Sequence, residues 1–252
     1  MSDSPRGLLR RGLIEVVLIV GSILLAFAID AAWDERQTAQ EADDLLAVLR
    51  TEFEANRAEL TRHRDRWVGA KAATGRLLVA QATGEVPPPV AMDSLISGFM
   101  TPTTFDAPEG TLAIAAGGGK LTLLRDAELR NLLATWPGMV SEVRDNELAM
   151  REFILRVITP YLAEAGVSLA RSRALVGERP FEPDAPMAAT DAWPAPLPSD
   201  AAVAGAYARI LRDPAFEPLL VTRYGWFNIV EYDAAIAFVD RILARIDHAE
   251  PR

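Results

Sequence analysis

The chain has 252 residues, 50% of them hydrophobic and 24% charged, with a formal net charge of -9; this sits in the globular range and excludes a wholly disordered polypeptide. Cysteine is absent, which removes disulfides, thiolate metal sites and cysteine nucleophiles together. The clearest basic cluster is Arg6, Arg10 and Arg11, so the rest of the chain is acidic, and nucleic acid is not an expected partner because phosphate binding needs a basic surface on the folded domain.

From Leu13 to Ile29 the sequence reads LIEVVLIVGSILLAFAI, and through Ala32 the run approaches the ~20 residues a helix needs to cross ~30 Å of hydrocarbon. It is apolar on nearly every face, unlike a soluble helix with one buried stripe. Its one interior charge, Glu15, lies one turn after Arg11, where an i,i+4 pair holds both groups at headgroup depth. Arginines precede the run while Asp30, Asp34 and Glu35 follow it, so the positive-inside rule puts residues 1–12 in the cytoplasm and residues 33–252 outside, with Trp33 at the far interface. The expected location is a bacterial inner (plasma) membrane with a periplasmic or extracellular domain. Gly21, Ser22 and Ala26 offer a small-residue face for contact with another helix in the bilayer.

A cleaved signal peptide is the competing reading, because Ala26-Phe27-Ala28 has the form of a cleavage site and Arg10-Arg11 resembles a twin-arginine signal. The glutamate inside the run and the helical pattern that continues past it favour retention.

Beyond the run, a stalk helix is expected over about 33–84, broken only by isolated glycines. Positions 46, 49, 53, 56, 60, 63, 67, 70, 74 and 77 alternate in steps of three and four, a heptad seam carrying Asn56 and His63. Those two residues either set register between two chains or are satisfied locally where the stripe packs on the chain's own later helices. Arg50, Arg57, Arg64 and Lys71 also recur every seven residues and read as a solvated flank.

Gly84 and Pro87-Pro88-Pro89 stop this helix, and Met92 to Met100 follows as a short one. A small apolar turn from Asp106-Ala107-Pro108-Glu109 through Ala116 closes at Gly117-Gly118-Gly119, and Asp126 caps the next helix. That helix runs to about Ala165 with Pro137-Gly138 breaking or kinking it, and its stripe is Val140, Val143, Met150, Ile154, Val157 and Tyr161. Residues 177–199 read as a proline-rich loop, ending at Ser199 as a cap. A last helix over about 214–248 opens at Asp213-Pro214, its stripe running through Phe216, Leu220, Tyr224, Phe227, Val230, Ala234, Phe238, Ile242 and Ile246. The expected fold is all-α, a transmembrane helix continuing into a stalk that packs with later helices in an extracytoplasmic bundle.

The stretch from Glu15 through Gly21 and Ile29-Asp30 to Trp33-Asp34-Glu35 resembles the start of a bacterial family of uncharacterised single-pass membrane proteins, a domain of unknown function. Leu112 to Leu133 is similar to a second pattern of that family: a small-residue segment, a glycine turn and a helix opening on an acidic residue. Together they cover about a quarter of the chain. The resemblance implies an anchor and a helical outer domain and supplies no catalytic residue.

Chemistry is sparse. The two histidines, His63 and His248, belong to no metal-binding spacing, and Glu59 with His63 reads as an ordinary i,i+4 pair. Gly117-Gly118-Gly119-Lys120 fails as a phosphate loop, since Ile114 stands at the first glycine and Leu121 at the hydroxyl position. Glu142, Asp145 and Glu147 read as a solvated helix face. No enzymatic activity, cofactor or metal is expected. The expected role is a scaffold or interaction module of the cell envelope, partnered by the lipid bilayer and by a second copy or another envelope protein. The alternative is a sensory module binding a small molecule among Trp67, Trp136, Trp193, Tyr224 and Trp226 and acting through a partner chain.

Overall fold

The computed structural model describes residues 5–102, 104–108, 110–167, 199–227 and 229–249, with residues 5–17 and 19 described by backbone alone. The described residues are all helix and connection, with no strand among them. Helix α1 is one unbroken element, Pro5–Thr83, and the later helices pack against its second half. They are α2 (Pro89–Phe99), α3 (Gly110–Gly117), a 3-10 turn at Lys120–Leu123, α4 (Ala127–Phe153), a π-helical turn at Ile154–Ile158, α5 (Thr159–Glu164), α6 (Asp200–Arg212), α7 (Phe216–Gly225) and α8 (Ile229–Ala249).

The seam expected on α1 is buried against the chain's own helices: Leu46, Leu49, Phe53, Asn56, Leu60, His63, Trp67, Ala70, Thr74 and Leu77 each fall inside the bundle. The lower half of the core joins α1 to α4 and α8, with Phe53 edge-on to Trp136 at 5.5 Å and Trp136 stacked near Phe238 at 6.4 Å. Here α4 runs parallel to α1 and α8 antiparallel to both, as the pairs Arg245–Asp126 and Asn146–Glu231 require. The upper half gathers α1, α2, α5, α6 and α7 around Phe99, Tyr207 and Phe216. Gly98 lets α2 lie close on α1, since a Cβ there would stand 2.6 Å from Ala73 Cβ.

The arginine line on α1 is no solvated flank. Arg50, Arg57 and Arg64 pair with Asp247, Asp240 and Asp233 of α8, each step of seven up α1 matching a step of seven back along α8. Lys71, next in the series, lies over the Tyr224 ring at 4.9 Å.

Several caps form as expected. Asp126 accepts from Glu128 N and Leu129 N, and Ser199 from Ala202 N. Two further expectations need correction. Pro137 sits inside α4 without breaking it; a π-helical turn comes later, where the Thr159 amide reaches back five residues to Ile154 O and the widened turn precedes Pro160, which has no amide to give. That extra residue moves the stripe by one position, so Ile158 is buried while Val157 is 42% exposed. The final helix is two helices, α7 and α8, parted at Trp226 and Phe227 after Gly225. Phe216, Leu220, Phe227, Phe238, Ile242 and Ile246 of the expected stripe are buried; within α7 Arg223 rather than Tyr224 faces the core, and past the break α8 also buries Tyr232, Ala235 and Val239 while Val230 and Ala234 are exposed. The proline-rich loop lies outside the described residues apart from Ser199.

Below Leu46, α1 leaves the bundle. Every described side chain from Val20 to Glu41 is exposed, including Ile23, Leu24, Leu25, Phe27 and Ile29, as is Leu18. Among the described residues no helix is long and apolar enough to cross a membrane; the side chains of the run's first residues, Leu13 to Val17, fall outside that description.

Candidate functional site

Of the residues singled out for the anchor, Glu15 has its side chain outside the described residues. Gly21, Ser22, Ala26 and Trp33 lie on the exposed length of α1, and among the described residues a Cβ at Gly21 would meet nothing within 4 Å. Asn56 and His63 are brought inside the bundle. Asn56 Nδ2 donates to Pro108 O at 2.9 Å, while its Oδ1 has no hydrogen-bond partner among the described residues.

His63 belongs to a buried polar centre that sequence reasoning missed. Its core is Glu147, 2% exposed, which stands at a seam position of α4 between Val143 and Met150. The carboxylate accepts from the Phe105 amide at 2.5 Å through Oε2 and from the Tyr232 hydroxyl through Oε1. Burying a carboxylate is costly unless its lone pairs are satisfied, and here one donor comes from the loop before α3 and one from α8. Glu147 thereby ties three parts of the chain together. The spacing of Val140, Val143 and Met150 marked position 147 as inward; its charge argued the reverse and was the misleading signal.

His63 approaches the same carboxylate, Nδ1 to Oε1 at 3.8 Å, and Glu59 on its other side, Nε2 to Oε2 at 3.6 Å. Both distances are too long for hydrogen bonds, and the ring meets Phe105 edge-on at 6.0 Å. Burial lowers the His63 pKa from 6.5; Glu147 and Glu59 pull it up, while Arg66 and Arg62 push it further down. Burial wins, so the ring is neutral at pH 7.

A second buried charge, Arg223 on α7, is fully enclosed and lies over the Phe227 ring at 4.1 Å. Nε donates to Phe99 O at 3.2 Å and Nη2 to Thr101 O at 2.8 Å, so a cation caps the last carbonyl of α2 and that of Thr101 just beyond it. Its Nη1 has no hydrogen-bond partner among the described residues, and burial pushes the guanidinium down to about 10. On α1, Glu52 does the opposite service, accepting from Thr111 N at 2.6 Å and Leu112 N at 3.2 Å at the start of α3.

The aromatic residues considered for a ligand site do not converge. Trp67 packs against Phe227 and Tyr232, Trp136 against Phe53 and Phe238, and Trp226 against Phe153. Tyr224 is 40% exposed, and Trp193 lies outside the described residues. A cavity of about 440 Å³ opens elsewhere, where α1 leaves the bundle, lined by Ala39, Ala42, Leu46, Leu124, Leu129 and Arg245 among others. Among the described residues no group of three or more histidine, aspartate or glutamate side chains is placed to hold a metal ion. No family model, curated protein or solved structure matches the chain.

Proposed function

We propose that this chain is a single-pass membrane-anchored protein whose helical bundle serves as a scaffold or interaction module on the outer side of a bacterial plasma membrane. The supporting observation is the contrast along α1. Its second half buries one stripe against the bundle, whereas Leu18, Val20, Ile23, Leu24, Leu25, Phe27 and Ile29 are exposed, 67% at both Leu18 and Phe27. An unpartnered helix apolar all round is unstable in water and stable in hydrocarbon. The basic residues before the run and the acidic ones after it support an outside domain, and the resemblance of the Glu15–Glu35 stretch to an anchor motif points the same way.

The fold favours a binding role over chemistry. The buried polar groups Glu147, His63 and Arg223 are enclosed in packing, where they fix the geometry of the bundle. A reporter fused to the C-terminus, active only outside the cytoplasm, tests the topology, and affinity purification from detergent extracts tests the interaction role. Cytoplasmic reporter activity would reverse the orientation; absence of any reproducible partner and of self-association would remove the scaffold reading. The small-molecule alternative now rests on the cavity beside Ala39 and Leu129 rather than on the aromatic residues. A ligand-dependent thermal shift abolished by Ala42→Trp would favour it.

A further inference from the structure

We propose that the end of the bundle formed by the 3-10 turn, the start of α4 and the close of α8 rests directly on the phospholipid headgroups, with Arg125 as its phosphate contact. This deepens the anchor reading and depends on it. The sequence leaves a dozen residues between Trp33 and Leu46 that look like a stalk holding the domain away from the membrane. The packing closes that gap. Arg125 Nη2 lies 3.4 Å from Glu35 Oε1, and Leu123, Leu124, His248 and Ala249 share a cavity with Thr38, Ala39 and Ala42.

The level of Glu35 then sets the height of the bundle. It follows Ala32, the last residue of the apolar run, by three positions, about 4.5 Å along a helix axis at ~1.5 Å per residue. The headgroup region of one leaflet is roughly 5–8 Å thick, taking ~30 Å of hydrocarbon within ~40–45 Å overall. Arg125 therefore stands within the headgroup layer. Its side chain is 85% exposed and Glu35's 73%, so the guanidinium has donors to spare for a lipid phosphate, which it matches in a bidentate fork. Both signs are present around it on exposed positions: Asp34, Glu35 and Arg36 follow one another on α1, and Glu41 and Lys120 line one shallow pocket. That mixture complements zwitterionic headgroups, which offer an ammonium beside each phosphate, better than a purely anionic surface.

The absence of cysteine permits a direct test. Single-cysteine variants of the full chain, at Leu25, Thr122 and Val90, are labelled with an environment-sensitive fluorophore and reconstituted in phosphatidylcholine vesicles. The vesicles carry a nitroxide either on the headgroup or deep in the acyl chain. Val90, 78% exposed beside the start of α2, reports the far end. The expected result is strong quenching at position 25 by the deep nitroxide, at 122 by the headgroup nitroxide, and at 90 by neither; Arg125→Glu should at least halve the headgroup quenching at 122. Deep quenching at 25 with 122 as unquenched as 90 overturns the docking while leaving the anchor intact. No deep quenching at 25 removes the anchor, and the docking with it.

Discussion

Arg57 Nε lies 2.5 Å from Asp240 Oδ1 across the interface of α1 and α8, the middle of three arginine–aspartate pairs that repeat at heptad intervals in opposite directions along the two helices. Each pair is half-exposed and of the kind that contributes roughly 0.2–1 kcal/mol. Their weight lies in register, because sliding α8 by one turn would place all three aspartates out of reach at once.

Reversing Arg50, Arg57 and Arg64 to glutamate sets three like-charge contacts against Asp247, Asp240 and Asp233. The expected outcome is a loss of about 2–4 kcal/mol in thermal unfolding of the detergent-solubilised chain, with much of it recovered when the three aspartates are changed to lysine. Recovery absent from the sextuple variant would show that the pairs are incidental to the α1–α8 contact.

Glu147→Ala should cost about 3–5 kcal/mol, since it leaves the buried Phe105 amide and Tyr232 hydroxyl without an acceptor. Glu147→Gln keeps one acceptor oxygen and should cost less. Pairing Glu147→Leu with Tyr232→Phe should fall well short of the sum of the two single losses, because the orphaned hydroxyl goes with its acceptor. Additive losses in the melting curves would mean that the two groups are not coupled.

The pH dependence has a definite sign at His63. Its folded-state pKa lies below 6.5, so the unfolded chain binds the proton first and stability falls as pH drops below about 6.5 toward the folded value. Above that window the ring is neutral in both states and contributes no slope. The difference in melting temperature between pH 7.5 and pH 5.5 should shrink in His63→Gln. An unchanged difference would assign the acid sensitivity to other groups.

Gly98→Ala should lower stability by about 1–3 kcal/mol, because its Cβ would stand 2.6 Å from Ala73 Cβ and neither atom belongs to a flexible chain. Ala73→Gly in the same molecule removes the clash and should restore much of the loss. A neutral Gly98→Ala would mean that α2 rides further from α1 than described.

The all-helical class, the α1 seam and the caps at Asp126 and Ser199 were legible because each rests on local pattern: spacing of three and four, and a side-chain oxygen before a helix. What escaped depends on contacts between distant segments. Glu147 was read as solvent-facing from its charge, since nothing near it in sequence announces the Phe105 amide or the Tyr232 hydroxyl. Arg57 reads as a flank because its partner, Asp240, lies on α8 far along the chain and nothing near Arg57 in sequence announces it. The final stripe holds at Phe216, Leu220, Phe227, Phe238, Ile242 and Ile246; Tyr224 yields its place to Arg223, whose charge argues against an inward position, and Val230 and Ala234 fall out because the break after Gly225 leaves no mark in the spacing. Asn56 was visible as a polar seam residue, but its partner, the Pro108 carbonyl, sits in a loop without periodicity.

Alkaline carbonate extraction of cell membranes, followed by the intact mass of the recovered protein, addresses most directly whether α1 is retained in a bilayer. The expected result is a chain that stays in the membrane pellet with residues Leu13 to Ala32 still attached. Release into the supernatant, or a mature protein beginning near Ile29, would contradict it.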